Sequence, residues 1–193
     1  MSKHIIIDIG HANGTGARGN GYEEHALCVI VGKKLKKRLE KHDVKVTLLD
    51  FPALSNKQDL IRTIRTANAT KAVTFGISLH MDASSNDKAH GGHVCFASAK
   101  GREIAERVAA KLVDVMPGRS VTVQKRTGIA VLTQTRAPWA LIELGFITHA
   151  GDIKKLVDDP DTEKNELKPL LDASEQGILD ALERAEAWNT KTE

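Results

Sequence analysis

Short apolar runs alternate along this chain with longer amphipathic stretches. His4–Ile9 is an apolar run that reads as a buried strand, ending at Gly10 and His11. A glycine- and asparagine-rich loop follows over residues 12–21. Next comes an expected helix from about Tyr22 to Lys41, with its apolar stripe at Leu27, Ile30, Val31, Leu35 and Leu39. Val44–Leu49 reads as a second strand, Lys57–Ala69 as a helix, and Ala72–Leu79 as a third strand closing at His80. Gly92–Ala97 is a further strand, and Arg102–Val115 a helix stopped by Pro117. Ile129–Thr133 and Trp139–Phe146 are two more strand candidates. The tail predicts a helical turn around Asp152–Val157 and a longer helix from about Glu163 to Trp188.

Strands alternating with helices predict an α/β fold: three layers, α/β/α, with helices on both faces of a mostly parallel, twisted central sheet of about six strands. No repeat or composition break divides the chain. Residues 1–193 therefore read as a single domain, the last few being tail or linker.

Composition narrows the class without naming it. Hydrophobic residues make up 41%, enough for a full core with no disulfide framework, and Cys28 and Cys95 read as buried thiols within apolar stretches. A net charge of +3 favours approach to an anionic wall or nucleic acid and identifies neither. No apolar run reaches the roughly eighteen residues of a membrane span. The Ile5–Ile7 run is cut by Asp8 too early for a signal peptide, so synthesis in the cytoplasm is expected.

In such sheets ligands bind beyond the carboxyl ends of the strands. His11 and His80 each follow an apolar run and should share that rim, as strand-end capping residues or as ligands. Advancing about 100° per residue along the first helix puts Glu24 within roughly 15–30° of the middle of the buried stripe. Glu23 falls at its edge, and His25 points mostly to solvent. An inward carboxylate in a first turn either complements the helix dipole or coordinates something.

Glu143 interrupts the apolar run Trp139–Phe146, where a bare carboxylate costs several kcal/mol unless paired or near a cation. It is either half of a buried ion pair or a general acid/base. Two histidines and one glutamate are a ligand set for catalytic zinc, leaving a position open for water.

These residues sit in segments that resemble those of the zinc-dependent N-acetylmuramoyl-L-alanine amidases of bacterial autolysins and phage endolysins. Ile7–His11 is similar to the family's D-x-G-H opening, and Glu24–Leu35 to its glutamate-headed helix. Ile77–Ala83 resembles S-x-H-x-N-A, with Asp82 where Asn is usual, and Leu141–Phe146 resembles L-x-E-x-G-F, preceded by Pro138. The resemblance covers about residues 3–157. It implies one zinc ion bound by His11, Glu24 and His80, with Glu143 as the catalytic carboxylate. It further implies cleavage of the amide between N-acetylmuramic acid and L-alanine in peptidoglycan, by an enzyme acting on the cell wall after release.

Some positions depart from the family. Leu48-Leu49-Asp50 stands where an arginine follows the second strand, and Thr63 where an arginine precedes Ala67-Asn68. Thr148-His149 replaces a Ser-Asn pair. These departures touch substrate contacts rather than the proposed ligands.

Other residues carry two readings each. Asp8 either orients a ligand histidine or accepts hydrogen bonds at a strand end. Lys125, Arg126 and Arg136, near the predicted rim, contact the peptide's carboxylates or form a solvated basic face. His90 and His93 read as a surface loop leading into a strand, and the Lys33–Arg38 run as the outer face of a helix.

A zinc peptidase acting within stem peptides would use the same chemistry, and a binding module would use none of it. The loop Gly14–Gly19 fits neither a Walker A motif nor a dinucleotide fingerprint. Peptidoglycan is the expected partner, with neither nucleic acid nor membrane insertion. Oligomeric state leaves no mark on the sequence.

Overall fold

All six residues of β1 (His4–Ile9) are buried, three consecutive isoleucines among them, which suits a strand covered on both faces. The computed structural model describes residues 3–157 and 166–188. After β1 the chain forms a two-residue hairpin, β2 (Arg18–Gly19) and β3 (Tyr22–Glu23), then α1 (Glu24–Leu39), β4 (Lys45–Leu49), α2 (Asn56–Ala69) and β5 (Phe75–Asp82). There follow β6 (His93–Phe96), α3 (Ala99–Val115), β7 (Val123–Lys125), α4 (Ala130–Thr133), β8 (Trp139–Phe146), α5 (Ala150–Ile153) and α6 (Lys168–Glu186).

The central sheet has six strands in the order β4-β1-β5-β8-β6-β7, and only the β6–β8 junction is antiparallel. Ile5, Ile7 and Ile9 of β1 pack in one core with α1, α3 and α6, while Ile6 joins a second core with Ala67 of α2 and Val131 and Leu132 of α4. The sheet is thus covered on both faces, giving the expected three layers. Parallel pairing sets the carboxyl ends of β4, β1, β5 and β8 along one rim. β6 begins at that rim, with His93 opposite Glu143.

The structure differs from the sequence reading in several places. Residues 129–133 are not a strand: Val131 and Leu132 are adjacent and both buried, which one turn of helix laid on a single face allows and a strand would not. β7 was not anticipated, because an edge strand of three partly exposed residues carries no alternating pattern. β5 runs two residues past His80, so that histidine lies within the strand and not at its close. On α1, Ile30 is 43% exposed and outside the stripe. His25 is not solvent-facing; it is 5% exposed, its Nε2 2.9 Å from Asp50 Oδ1. The expected start of the tail helix at Glu163 and the closing residues 189–193 lie outside the described residues.

Close packing between β5 and β8 depends on a glycine. Gly76 stands opposite Trp139, and a Cβ there would come within 2.1 Å of the indole. Gly76→Ala is expected to cost about 2–3 kcal/mol in urea unfolding, because the buried indole must move. A loss under about 0.5 kcal/mol would show that the ring has room to shift.

A second prediction concerns Asp59, 5% exposed on the inner side of α2, whose Oδ1 is buried without a hydrogen-bond partner among the described residues. Burial raises its pKa to about 6, the Asp8 and Asp50 charges adding to the rise against His25 and His11. The folded protein therefore holds this proton more tightly than the unfolded chain does. The ionised group's penalty grows as pH rises from about 4 to about 6 and is fully present above that. Asp59→Asn is expected to leave stability unchanged near pH 4 and to raise it by roughly 1–2 kcal/mol at pH 7. Equal stabilisation at both pH values in paired denaturation curves would contradict this.

Candidate metal centre

Three elements meet at the rim. β1 ends at Ile9 and, past Gly10, the chain turns at His11, which takes a left-handed φ of 63°. Glu24 opens α1 directly above the strand ends. His80 lies on β5 opposite Glu143 of β8, one position beyond the Ile9–Leu79 pair. Gly10 is required here, since a Cβ would lie 2.5 Å from the His80 ring and 2.6 Å from the Leu79 carbonyl oxygen.

Glu24 is only 2% exposed. Its Oε2 accepts the Ala17 N–H at 2.8 Å, and its Oε1 the Met81 N–H at 3.0 Å. The same Oε1 lies 3.3 Å from His11 Nε2 and 3.0 Å from His80 Nδ1. The two rings meet edge-on, with centroids 5.0 Å apart at 76°. One ligand atom from each of His11, Glu24 and His80 falls within 4.8 Å of the others, the geometry of a group able to hold a metal ion. The structure thus brings together the three residues singled out in the sequence.

Electrostatics mark the same spot. Burial pushes the Glu24 carboxyl up, but hydrogen bonds from His11 and His80 outweigh it and hold the group well below the usual carboxylate range. For His80, burial works against the charged form, while Glu24, Glu143 and Asp8 together leave it raised. Among the described residues, Glu143 has no ion-pair partner of the kind considered from the sequence. Its Oε2 is buried without a hydrogen-bond partner among the described residues. Burial first, then the Asp82 and Glu24 charges, raise its pKa to about 7 against the opposing pull of His80 and His11.

Asp8 contacts neither His11 nor His80 through a hydrogen bond. It is buried and accepts from Thr63 Oγ1 at 2.9 Å and Ser78 Oγ at 2.6 Å, so the strand-end acceptor reading holds. His93 is not in a surface loop; it is buried at the start of β6. Burial and the Arg119 and Arg126 charges lower its pKa to about 4. Arg136 lies away from the site. It lines a cavity of about 790 Å³ at the opposite rim, with Lys3, Lys71 and Pro138. The basic run on α1 is only partly a solvated face, since Arg38 pairs with Asp172 and Glu175 of α6. Cys28 and Cys95 are buried free thiols.

Two features near the site were missed from sequence. Arg119, in the loop after α3, sets its guanidinium 3.2 Å from Asp82 Oδ2 and 3.4 Å from His93 Nε2, with the Phe146 ring 5.1 Å away. Nothing in its local pattern links it to β5. Asn56, the first residue of α2, reaches His11, and only its position after the capping Ser55 hinted at an ordered side chain.

Comparisons with known proteins identify the family and the fold. The sequence profile of the family described as N-acetylmuramoyl-L-alanine amidase matches residues 5–167. The N-acetylmuramoyl-L-alanine amidase LytC of Bacillus subtilis is 27% identical over 165 residues, 81% of this chain. The match takes in 32% of LytC, so the chain spans about a third of that relative's length.

Among solved structures, the N-acetylmuramoyl-L-alanine amidase from Clostridium difficile 630 superposes with a TM-score of 0.80 at 23% identity, over 94% of this chain and 97% of that one. The amidase AmiC2 of Nostoc punctiforme gives 0.77 at 23% identity, over 95% and 99%. At these identities the superpositions establish a common fold. The profile match runs from β1 past β8, and on it this chain belongs to the N-acetylmuramoyl-L-alanine amidase family.

Proposed function

We propose that the chain is a zinc-dependent hydrolase of peptidoglycan, cutting the amide between the lactyl group of N-acetylmuramic acid and L-alanine. It would act on the cell wall as one catalytic domain, residues 1–193, with a single zinc ion held by His11, Glu24 and His80. The observation that carries this reading is the convergence of those three ligand atoms within 4.8 Å, in a chain of this family. The donor set fits zinc: two imidazole nitrogens and one carboxylate oxygen make a three-ligand site with a position left open. The buried, unpartnered Glu143 Oε2 fits a place where a cation and a mobile proton belong. Zinc bound there would act as a Lewis acid, polarising the scissile carbonyl and lowering the pKa of a water toward ~7.

The chain's own residues do the rest. The Ala17 and Met81 amides fix the Glu24 carboxylate so that Oε1 faces both rings. Glu143 takes a proton from the attacking water as its oxygen bonds to the lactyl carbonyl carbon. It then delivers that proton to the departing alanine nitrogen as the C–N bond breaks. The products are a muramic acid carboxylate and a peptide with a free amino terminus. No described helix is long and apolar enough to cross a membrane.

Two outcomes are expected. Purified peptidoglycan incubated with the protein should release stem peptides beginning with free L-alanine, seen by mass spectrometry; chelation should abolish release and added zinc restore it. Cleavage inside the stem peptide would move the enzyme to the peptidase class, and no cleavage by zinc-loaded protein would favour a binding module. Glu143→Gln is expected to lower kcat by about 10²–10⁴-fold, with zinc affinity within a few fold of the parent. Full activity in a zinc-loaded Glu143→Gln protein would remove Glu143 from the mechanism.

A further inference from the structure

His11 presents Nε2 to the Glu24 carboxylate, at 3.3 Å, and turns Nδ1 the other way, toward Asn56. Nδ1 lies 3.2 Å from Asn56 Oδ1 and 3.0 Å from Nδ2, so the pair of distances alone leaves the amide's role open. Its surroundings fix which way the amide faces, and a metal on Nε2 then fixes its role. The Ala12 backbone N–H reaches Oδ1 at 3.2 Å, and the Thr15 hydroxyl lies 2.9 Å from the same oxygen. A backbone N–H can only donate, so the amide oxygen, not the NH2 group, must face the turn. With Nε2 given to a metal, Nδ1 carries the ring's proton, and Asn56 Oδ1 is the acceptor in reach.

The position needs such a partner. His11 holds a left-handed backbone conformation, which is uncommon outside glycine, and its ring is partly open to solvent. Left alone, the ring could rotate about χ1 and χ2 or carry its proton on Nε2, facing Glu24. Asn56 is the first residue of α2, directly after the Ser55–Gln58 capping box that fixes that helix end. A rigid helix terminus thereby pins a ring held on a strained turn.

We propose that Asn56 is a positioning residue for the metal centre: its Oδ1 accepts the His11 Nδ1–H, fixing the tautomer that frees Nε2 for a divalent cation. The inference rests on the ligand assignment above, and it concerns metal binding rather than turnover.

The test uses zinc affinity and the ring's tautomer, neither of which requires activity. Zinc titration against a chromophoric chelator is expected to show Asn56→Ala and Asn56→Leu binding about 10–100-fold more weakly than the parent. Asn56→Asp, which keeps the acceptor, should bind as tightly as the parent or more so. In the zinc-loaded parent, ¹⁵N-detected imidazole spectra should show His11 bound through Nε2 with a slowly exchanging Nδ1 proton, and in Asn56→Ala that proton should exchange with water at least tenfold faster. Circular dichroism melts identify any variant that fails to fold, and in that case the tautomer in the parent and the Asn56→Asp affinity still decide. Zinc binding by Asn56→Ala within about twofold of the parent, or a zinc-loaded parent with His11 bound through Nδ1, would overturn the proposal. A parent that binds no zinc would instead overturn the ligand assignment on which the inference rests.

Discussion

A single buried carboxylate organises the rim of this sheet. Glu24 is almost wholly withdrawn from water, and an ionised group at that depth persists only when donors surround it. Those donors come from separate parts of the chain: the Ala17 amide in the loop after β1, the Met81 amide on β5, and the His11 and His80 rings. Their joint demand fixes where α1 begins, how the loop folds back to it, and which way both rings face. The partial positive charge at the start of α1 acts on the same carboxylate. Packing under α1, through Leu27, Cys28 and Val31, holds the helix at the height where this contact closes.

Around that carboxylate the rim carries more buried acid than base. Asp8 is satisfied by the hydroxyls of Thr63 and Ser78, and Asp82 is held by Arg119. Among the described residues, Glu143 Oε2 and Asp59 Oδ1 have no hydrogen-bond partner, and burial with their acidic neighbours raises both groups. A folded core that concentrates unpaired carboxyls in one place stores a cost that a divalent cation at the proposed triad would relieve. Metal affinity and fold stability are linked on this reading, because the cation binds the folded arrangement and not the unfolded chain.

Much of this was legible in the sequence because the signals are local. β1 and β8 are dense apolar runs, and their observed limits coincide with those read from the sequence. Glu24 was placed on the buried side of α1 by helical period, and Glu143 stood out as the lone acid in a buried strand. The misreadings come from interactions that no window along the chain contains. His25 is buried because Asp50, at the far end of β4, meets its ring. The segment at 129–133 has the apolar content of a strand, and only its position on one face of the sheet makes it a helix. Asn56 and Arg119 act on residues far away in sequence, across contacts that the fold creates.

The residues flanking the triad differ in kind from the triad itself. Asp82 stands where the family resemblance led one to expect asparagine, and a carboxylate there adds negative charge beside Glu143. Arg119 answers it, and β6, which pairs antiparallel with β8, brings His93 against the same pair. The arginine expected at position 63 is replaced by a threonine that satisfies Asp8 with a neutral hydroxyl. Each change alters charge near the site, and each has a visible local partner that absorbs it. The proposed triad leaves no such freedom, because a shared ion would require its three atoms to converge on one point from three separate elements. Variation is therefore accommodated where a neighbour can compensate pairwise, on the flank facing β6 and beneath α2.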